Sequence, residues 1–213
     1  MRKFFTSLSL ADIGNTNAKI WRDGKLEIVS LSDFSAEKIR EQIFYISVNP
    51  KFAKVLNSLQ NWIDIESFAE IDTNYKTLGA DRKLAIFGLE NGILIDMGSA
   101  VTIDIMKNGK HLGGYILFGK SYLIQSFKEK IPHLNFGKNQ LSDEVVPQNS
   151  EDALLSGFYH QLVSFLRDLE KKHKLKLFFT GGDSLDMLQY FPKAKFNKNI
   201  IFENMIKIVE QNY

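Results

Sequence analysis

One short pattern occurs twice in this chain, and few folds accommodate such a repeat. Asp12-Ile13-Gly14-Asn15-Thr16 runs into a segment of strand character that turns at Asp23-Gly24-Lys25. Asp96-Met97-Gly98-Ser99 does the same and turns at Asn108-Gly109-Lys110. The Asp and Gly recur 84 residues apart and the turn recurs at 85. Asp-Gly and Asn-Gly are the dipeptides that two-residue hairpin turns favour. Two hairpins, each opened by an acid, a glycine and a small polar residue, imply a duplicated fold facing one shared ligand. A nucleotide phosphate and its metal suit that opening. Glycine lets backbone N–H groups approach an anion, and a carboxylate holds a hydrated cation.

The flanking pattern repeats as well. Ser7–Ala11, Asn17–Trp21 and Leu26–Leu31 read as three strands, followed by a hydroxyl-capped helix opening at Ser35-Ala36-Glu37-Lys38 and a buried strand over Phe44–Val48 that Asn49-Pro50 stops. Lys51–Trp62 has helical spacing at Phe52, Val55, Leu56 and Leu59, and Phe68–Ile71 reads as a further strand. The second copy gives Ile93–Ile95, Val101–Met106 and His111–Ile116 as strands, then helices over Lys120–Lys130 and Glu151–Lys171. A strand over Lys176–Phe179 and a helix over Ser184–Tyr190 follow, and the polar stretch Asn135–Asn149 reads as a mobile loop. Alternating strands and helices in two related halves predict an α/β fold of two lobes, at residues 1–92 and 93–213. No Gly/Ser linker separates them.

Composition narrows the function. Twenty-seven basic residues stand against 25 acidic ones, so bulk charge implies neither nucleic acid nor a membrane surface as partner. The basic run Lys171-Lys172-His173-Lys174 with Lys176 falls where a helix pattern gives way to a strand, a place that favours cations. Without cysteine the chain has no disulfides, thiolate chemistry or zinc–cysteine sites, and its four histidines show no metal-ligand spacing. Met1-Arg2-Lys3-Phe4-Phe5 starts like a signal peptide, but Thr6, Ser7, Ser9 and Asp12 break the apolar run. No run is long enough to span a bilayer, so a soluble cytoplasmic protein is expected.

Four segments carry candidate chemistry. In the first hairpin, Asn15 and Thr16 add side-chain donors to the Gly14 backbone, and Asp12 is placed to hold a hydrated Mg²⁺ rather than phosphate. Asp96 follows the aliphatic strand Ile93-Leu94-Ile95, where an acid is costly unless it caps, pairs or binds a cation. Thr180-Gly181-Gly182-Asp183 follows another buried strand, where paired glycines admit a flat ligand or phosphate. Asp81-Arg82, at a helix start, offers a base and an anion clamp together. Read singly, each segment is an ordinary turn or helix cap. Three glycine junctions at strand ends are what a nucleotide cleft between two lobes requires.

Together with Gly79-Ala80-Asp81-Arg82, Asp96-Met97-Gly98-Ser99-Ala100-Val101-Thr102-Ile103-Asp104 and Gly113-Gly114-Tyr115-Ile116, these segments stand in the order seen in type III pantothenate kinases. The resemblance covers nearly the whole chain, and Gly-Ala-Asp-Arg is its most specific part. It implies duplicated actin-like (ribonuclease H-like) lobes with a nucleotide cleft between them. It also implies ATP-dependent phosphorylation of pantothenate to 4′-phosphopantothenate, the first step of coenzyme A synthesis. It further implies a cytoplasmic homodimer with active sites at the subunit interface, needing Mg²⁺ and activated by K⁺ or NH₄⁺.

Carried over by motif, Asp12, Ile13, Gly14, Asn15, Thr16, Asn17, Ala18 and Lys19 form the first ATP-binding segment, joined by Ser99, Gly181 and Gly182. Asp81 is the expected base. Tyr75, Gly79, Ala80, Asp81, Arg82 and Ser150 line the pantothenate pocket, Asp96 holds the monovalent cation, and Asp12 holds Mg²⁺ through water. Ser99 and Ser150 replace threonines of the family and keep the hydroxyl. Phe118 stands where the family has proline before Gly119, and the segment from Tyr75 to Gly79 lacks the proline the family has there. A kinase for another small hydroxylated substrate would share the hairpins but not Gly-Ala-Asp-Arg. A non-catalytic relative acting as a transcription accessory factor would be free to lose the acids, which this chain retains.

Overall fold

The computed structural model describes residues 8–133 and 146–213. The chain divides into two compact units, Met1–Leu89 with Gly109–His111 and Asn199–Tyr213, and Glu90–Asn108 with Leu112–Lys198. The first unit is built on β1 (Ser9–Ile13), β2 (Asn17–Arg22), β3 (Lys25–Ser30), β4 (Ile43–Ser47) and β5 (Trp62–Asp64), in the order β3-β2-β1-β4-β5. A short β6 (Asp72–Thr73) pairs in parallel with Lys110 and His111 of the same unit.

The second unit repeats this plan. Its strands are β7 (Gly92–Met97), β8 (Ala100–Lys107), β9 (from Lys110 to Phe118), β10 (Leu177–Thr180) and β11 (Lys195–Phe196), in the order β9-β8-β7-β10-β11. In both units the central strand pairs antiparallel with the next strand and parallel with the fourth. The duplication read from the hairpins is therefore a duplication of topology. Asp12 lies opposite Ile46 on the parallel neighbour, and Asp96 lies opposite Thr180.

Local chemistry explains these elements. Both hairpin turns have two consecutive residues with positive φ, 46° and 85° at Asp23-Gly24 and 52° and 75° at Asn108-Gly109. That turn matches the right-handed twist of the strands it joins. Helix α1 (Pro50–Leu56) starts on Asn49, whose Oδ1 accepts the Lys51 N–H at 3.1 Å, with proline at a position that lacks an intrahelical partner. The remaining helices are α2 (Ala80–Ile86), α3 (Lys120–Lys130), α4 (Ser150–His173), α5 (Leu185–Leu188) and α6 (Ile200–Asn212). The basic run closes α4, with Lys171, Lys172 and His173 in its last turn and Lys174 left-handed at φ 55°. Among the described residues no helix is long and apolar enough to cross a membrane.

Each unit has its own core. In the first, Ala11, Ile13, Ala18, Ile20, Tyr45, Leu56 and Trp62 cluster. In the second, Ile93, Ile95, Met97 and Ile103 pack against Tyr159, Leu162, Val163 and Leu166, which recur on one stripe of α4.

Several elements differ from expectation. The segment at Ser35 forms only a 3-10 turn over Ala36–Lys38, because Ser35 Oγ bonds the Glu37 carboxylate at 3.0 Å and caps no backbone. The helix expected to Trp62 stops at Leu56, where Ser58 Oγ donates to the Val55 carbonyl at 2.7 Å and Trp62 enters β5. Phe68 ends a 3-10 turn started by Asp64, whose Oδ1 accepts the Glu66 N–H at 2.8 Å, and the strand comes later as β6. The helix expected over Ser184–Tyr190 divides into a 3-10 turn and the four-residue α5. Ser7 of the first expected strand and residues 135–145 of the expected loop lie outside the described residues. A cut at residue 92 puts α6 in the second lobe, whereas α6 packs in the first unit, with Asn204 Nδ2 donating to the Leu84 carbonyl at 2.8 Å.

Candidate functional site

The strand β1 is buried along its whole length, so its last polar residue is buried too. Asp12 is 4% exposed, and its register partner on β2 is Lys19. Lys19 Nζ sits 3.1 Å from Asp12 Oδ2, which compensates a carboxylate that burial alone would disfavour. The turn between them closes through the Gly14 N–H, which donates to the Asn17 carbonyl at 3.0 Å.

Helix α2 carries the second cluster of this unit. Gly79 precedes it in extended conformation, and the Lys83 N–H bonds the Gly79 carbonyl at 3.0 Å. A side chain at Gly79 would place its Cβ 2.8 Å from Asp81 Oδ1, so glycine is what leaves room for that carboxylate. Asp81 Oδ1 accepts the Arg82 N–H at 2.7 Å. Burial pushes the Asp81 carboxyl above the ordinary aspartate range. The Arg82 N–H works against that shift, the Asp12 charge adds to it, and the Arg82 and Lys19 charges draw it back. Arg82 is 5% exposed; its guanidinium lies over the Tyr75 ring, 5.0 Å from the centroid, and Nη1 reaches the Tyr75 hydroxyl at 3.4 Å. Asp12, Lys19, Asp81, Arg82 and Tyr75 thus form one electrostatically coupled group.

The other candidates belong to the second unit. Asp96, the penultimate residue of β7, lies between Thr102 on β8 and Thr180 on β10. Gly181 follows Thr180 with φ 89°, and a Cβ there would lie 2.4 Å from the Met97 carbonyl oxygen and 2.5 Å from Asp96 Oδ1. Only glycine permits that approach, so the turn is pressed onto the Asp96 carboxylate. Gly119 is equally constrained, because its Cβ would lie 2.4 Å from the Ser99 carbonyl oxygen, to which its own N–H donates. Ser150 opens α4 next to the cap residue Asn149, whose Oδ1 accepts the Asp152 N–H at 2.9 Å. Gly182 starts the 3-10 turn after Gly181.

Sequence reasoning passed over a largely covered cation beside this turn. Lys120, at the start of α3, sits 3.2 Å from Asp183 Oδ1 and 3.2 Å from Asp186 Oδ2. The buried Tyr159 hydroxyl donates to the same Asp186 oxygen at 2.5 Å. Burial, then that bond and the nearby acids, push the Tyr159 hydroxyl well above its ordinary range. The spacing of Asp183 and Asp186 was the available signal, since residues three apart share a helical face.

Among the described residues, no three His, Cys, Asp or Glu side chains gather as a metal cluster. Asp12 and Asp96 nonetheless fit hard cations that take oxygen ligands, one beside a phosphate-type turn and the other beside a carbonyl oxygen. Such an ion would complete its shell from ligand oxygens, carbonyls or water.

A model of the type III pantothenate kinase family matches residues 22–172. The chain belongs to this family. A type III pantothenate kinase of Campylobacter jejuni is 37% identical over 95% of this chain and 97% of its own length. That of Helicobacter pylori strain HPAG1 is 35% identical over 96% and 93%. A solved Campylobacter jejuni structure, described as a Baf family transcriptional activator, is 36% identical, with TM-score 0.84 over 96% of this chain and 98% of that one. The ethanolamine utilization protein EutJ from Carboxydothermus hydrogenoformans, 11% identical with TM-score 0.55 over 99% of this chain and 90% of its own, shares only the fold. The fold of this type III pantothenate kinase family member is the duplicated actin-like one.

Proposed function

We propose that this chain transfers the γ-phosphoryl group of ATP to pantothenate, giving 4′-phosphopantothenate and ADP, the first committed chemistry of coenzyme A synthesis. The carrying observation is that the Asp12–Lys19 ion pair and the Asp81-Arg82 helix start with Tyr75 stand in the same compact unit. On this reading the donor-side hairpin and the acceptor-side helix start belong to one unit.

In this reading the hairpin from Asp12 to Lys19 takes the ATP phosphates, with Ile13, Gly14, Asn15, Thr16, Asn17 and Ala18 shaping its turn. Ser99, Gly181 and Gly182 supply the remaining nucleotide contacts. Tyr75, Gly79, Ala80, Arg82 and Ser150 bind pantothenate, and Arg82 clamps its carboxylate. The pantothenate hydroxyl oxygen forms a bond to the γ-phosphorus, the bond to the β–γ bridging oxygen breaks, and the hydroxyl proton passes to Asp81. In loose phosphoryl transfer, positioning and charge neutralisation contribute more than basicity. A buried carboxyl with a raised affinity for protons suits that acceptor role. Asp12 would hold Mg²⁺ through water and Asp96 would hold K⁺ or NH₄⁺, and when bound these ions neutralise phosphate charge.

We place the reaction in the cytoplasm and the active protein as a homodimer with the site at its interface. Supporting the dimer, β9 leaves Leu112, Ile116 and Phe118 exposed by 51%, 62% and 66%. Apolar side chains in such number on one strand favour a covering surface.

The test is turnover of pantothenate by the purified chain with ATP and Mg²⁺, with and without potassium. Potassium-stimulated formation of 4′-phosphopantothenate is the expected result. Folded protein that binds ATP and turns over nothing in either salt would overturn the reading. A second reading, an accessory factor for transcription, draws on the description of the solved Campylobacter jejuni relative. Retention of Asp12, Asp81, Arg82 and Asp96 favours catalysis over it.

A further inference from the structure

Two polar residues of the first unit, Thr73 and His111, have no part in the reaction just described, yet His111 is 2% exposed. They face each other across the parallel pair formed by β6 and the start of β9. Thr73 Oγ1 and His111 Nδ1 lie 2.9 Å apart. The same Thr73 oxygen accepts the Tyr75 N–H at 3.0 Å, a hydroxyl turn that fixes the backbone two residues on. The Tyr75 ring lies 5.9 Å from the His111 ring at 43°, and the Arg82 guanidinium lies over that Tyr75 ring. Residues 74–79 between β6 and α2 have no regular structure and no proline to stiffen them. Something else must hold Tyr75 in place, since an irregular six-residue connection samples many backbone states.

We propose that Thr73 and His111 are positioning residues for the acceptor side of the site. Their hydrogen bond fixes Tyr75, and Tyr75 holds the Arg82 guanidinium beside Asp81 in the orientation that receives an organic anion. Neither residue touches substrate; both act through Tyr75. The inference rests on the reading of Gly79–Arg82 as the acceptor pocket.

The experiment uses the full chain with Thr73→Val, which keeps the side-chain shape, and Thr73→Ser, which restores the hydroxyl. His111→Phe and His111→Asn form the matching pair. Thr73→Val removes the bonds to His111 and to the Tyr75 N–H, and His111→Phe removes the one they share; each should raise the pantothenate KM about two- to tenfold, with the ATP KM unchanged. Thr73→Ser should recover most of the loss. The double variant Thr73→Val/His111→Phe should cost less than the sum of the two singles, because the Thr73–His111 bond is lost in both. An unchanged pantothenate KM, or an equal rise in both KM values, overturns the inference. Selective ¹⁵N-arginine labelling reads the same coupling without substrate. The Arg82 Nε–H signal, assigned with Arg82→Lys, should shift or broaden in Thr73→Val and return in Thr73→Ser. An unmoved signal overturns the inference even where turnover is absent. A wild type that binds ATP but does not phosphorylate pantothenate, with the arginine signal moving as expected, removes only the functional reading.

Discussion

Replacing Lys120 by methionine keeps the apolar stem and removes the charge that Asp183 and Asp186 face. Each carboxylate oxygen lies 3.2 Å from Nζ. At an effective dielectric of about 20, each contact is worth ~5 kcal/mol of attraction before solvation is counted. The Lys120 side chain is 11% exposed, and its desolvation offsets much of that gain. Asp183 and Asp186 are 30% and 44% exposed, so water screens both and reabsorbs part of the loss when the cation goes. The net cost should be ~2 kcal/mol, below the range for breaking a fully buried pair because both acids are partly in water. For a chain of this size that lowers the melting midpoint by roughly 4–8 °C. Urea unfolding followed by circular dichroism, at low and high salt, measures it. Adding Asp186→Asn to Lys120→Met should restore part of the loss, because the stranded acid is then neutral. A loss below ~0.5 kcal/mol, or a double variant worse than the sum of its singles, would refute the reasoning and mark the pair as solvent-screened.

Asp81→Asn should lower kcat by about 10²–10⁴ with little change in pantothenate KM; a change confined to KM would make Asp81 a binding group only. The folded-state affinity of Asp81 for its proton is raised. Its contribution to stability is therefore full below the unfolded-state pKa and is lost as pH rises through the folded value. Asp81→Asn should accordingly be more stable than the wild type above that window and equal to it below, as thermal melts across pH will show, while wild-type kcat should climb through the same window. Asp96→Ala should abolish potassium stimulation, and retained stimulation would move the cation elsewhere. Gly181→Ala puts a Cβ 2.4 Å from the Met97 carbonyl oxygen at φ 89°, so it should cost at least ~1–2 kcal/mol and weaken potassium activation; a variant as stable as wild type would show that the turn yields freely.

The duplicated hairpins were legible because their turns are written in dipeptides with one dominant conformation. Asp96 stood out because an acid after an aliphatic strand must be compensated, and Asp12 because it opens the glycine turn that recurs there; the structure pairs Asp12 with Lys19. The helix α6 was missed although Ile201, Met205, Ile208 and Val209 carry a helical period, since the motifs ended before it. β5 and β11 are three and two residues long, too short for any alternation to register. Lys120, Thr73 and His111 were illegible for another reason. Their partners are 38 to 66 residues away along the chain, and only the folded sheet brings them together.

The place of α6 has a consequence for biosynthesis. Leu84 and Ile86 of α2 are fully buried, and the Leu84 carbonyl takes its hydrogen bond from Asn204. The Tyr213 ring packs at 58° against Phe44 of β4, 4.9 Å between centroids, and edge-on against Phe68 at 5.9 Å. The unit that holds β1 to β5 is thus completed by residues 199–213, which are synthesised after the whole of the other unit. During translation it waits with an apolar face open, while the intervening unit, residues 90–108 and 112–198, already has the strands and helices that form its core. The order of folding should therefore run against the order of synthesis, and a nascent chain stalled before residue 199 should need a chaperone for its first half.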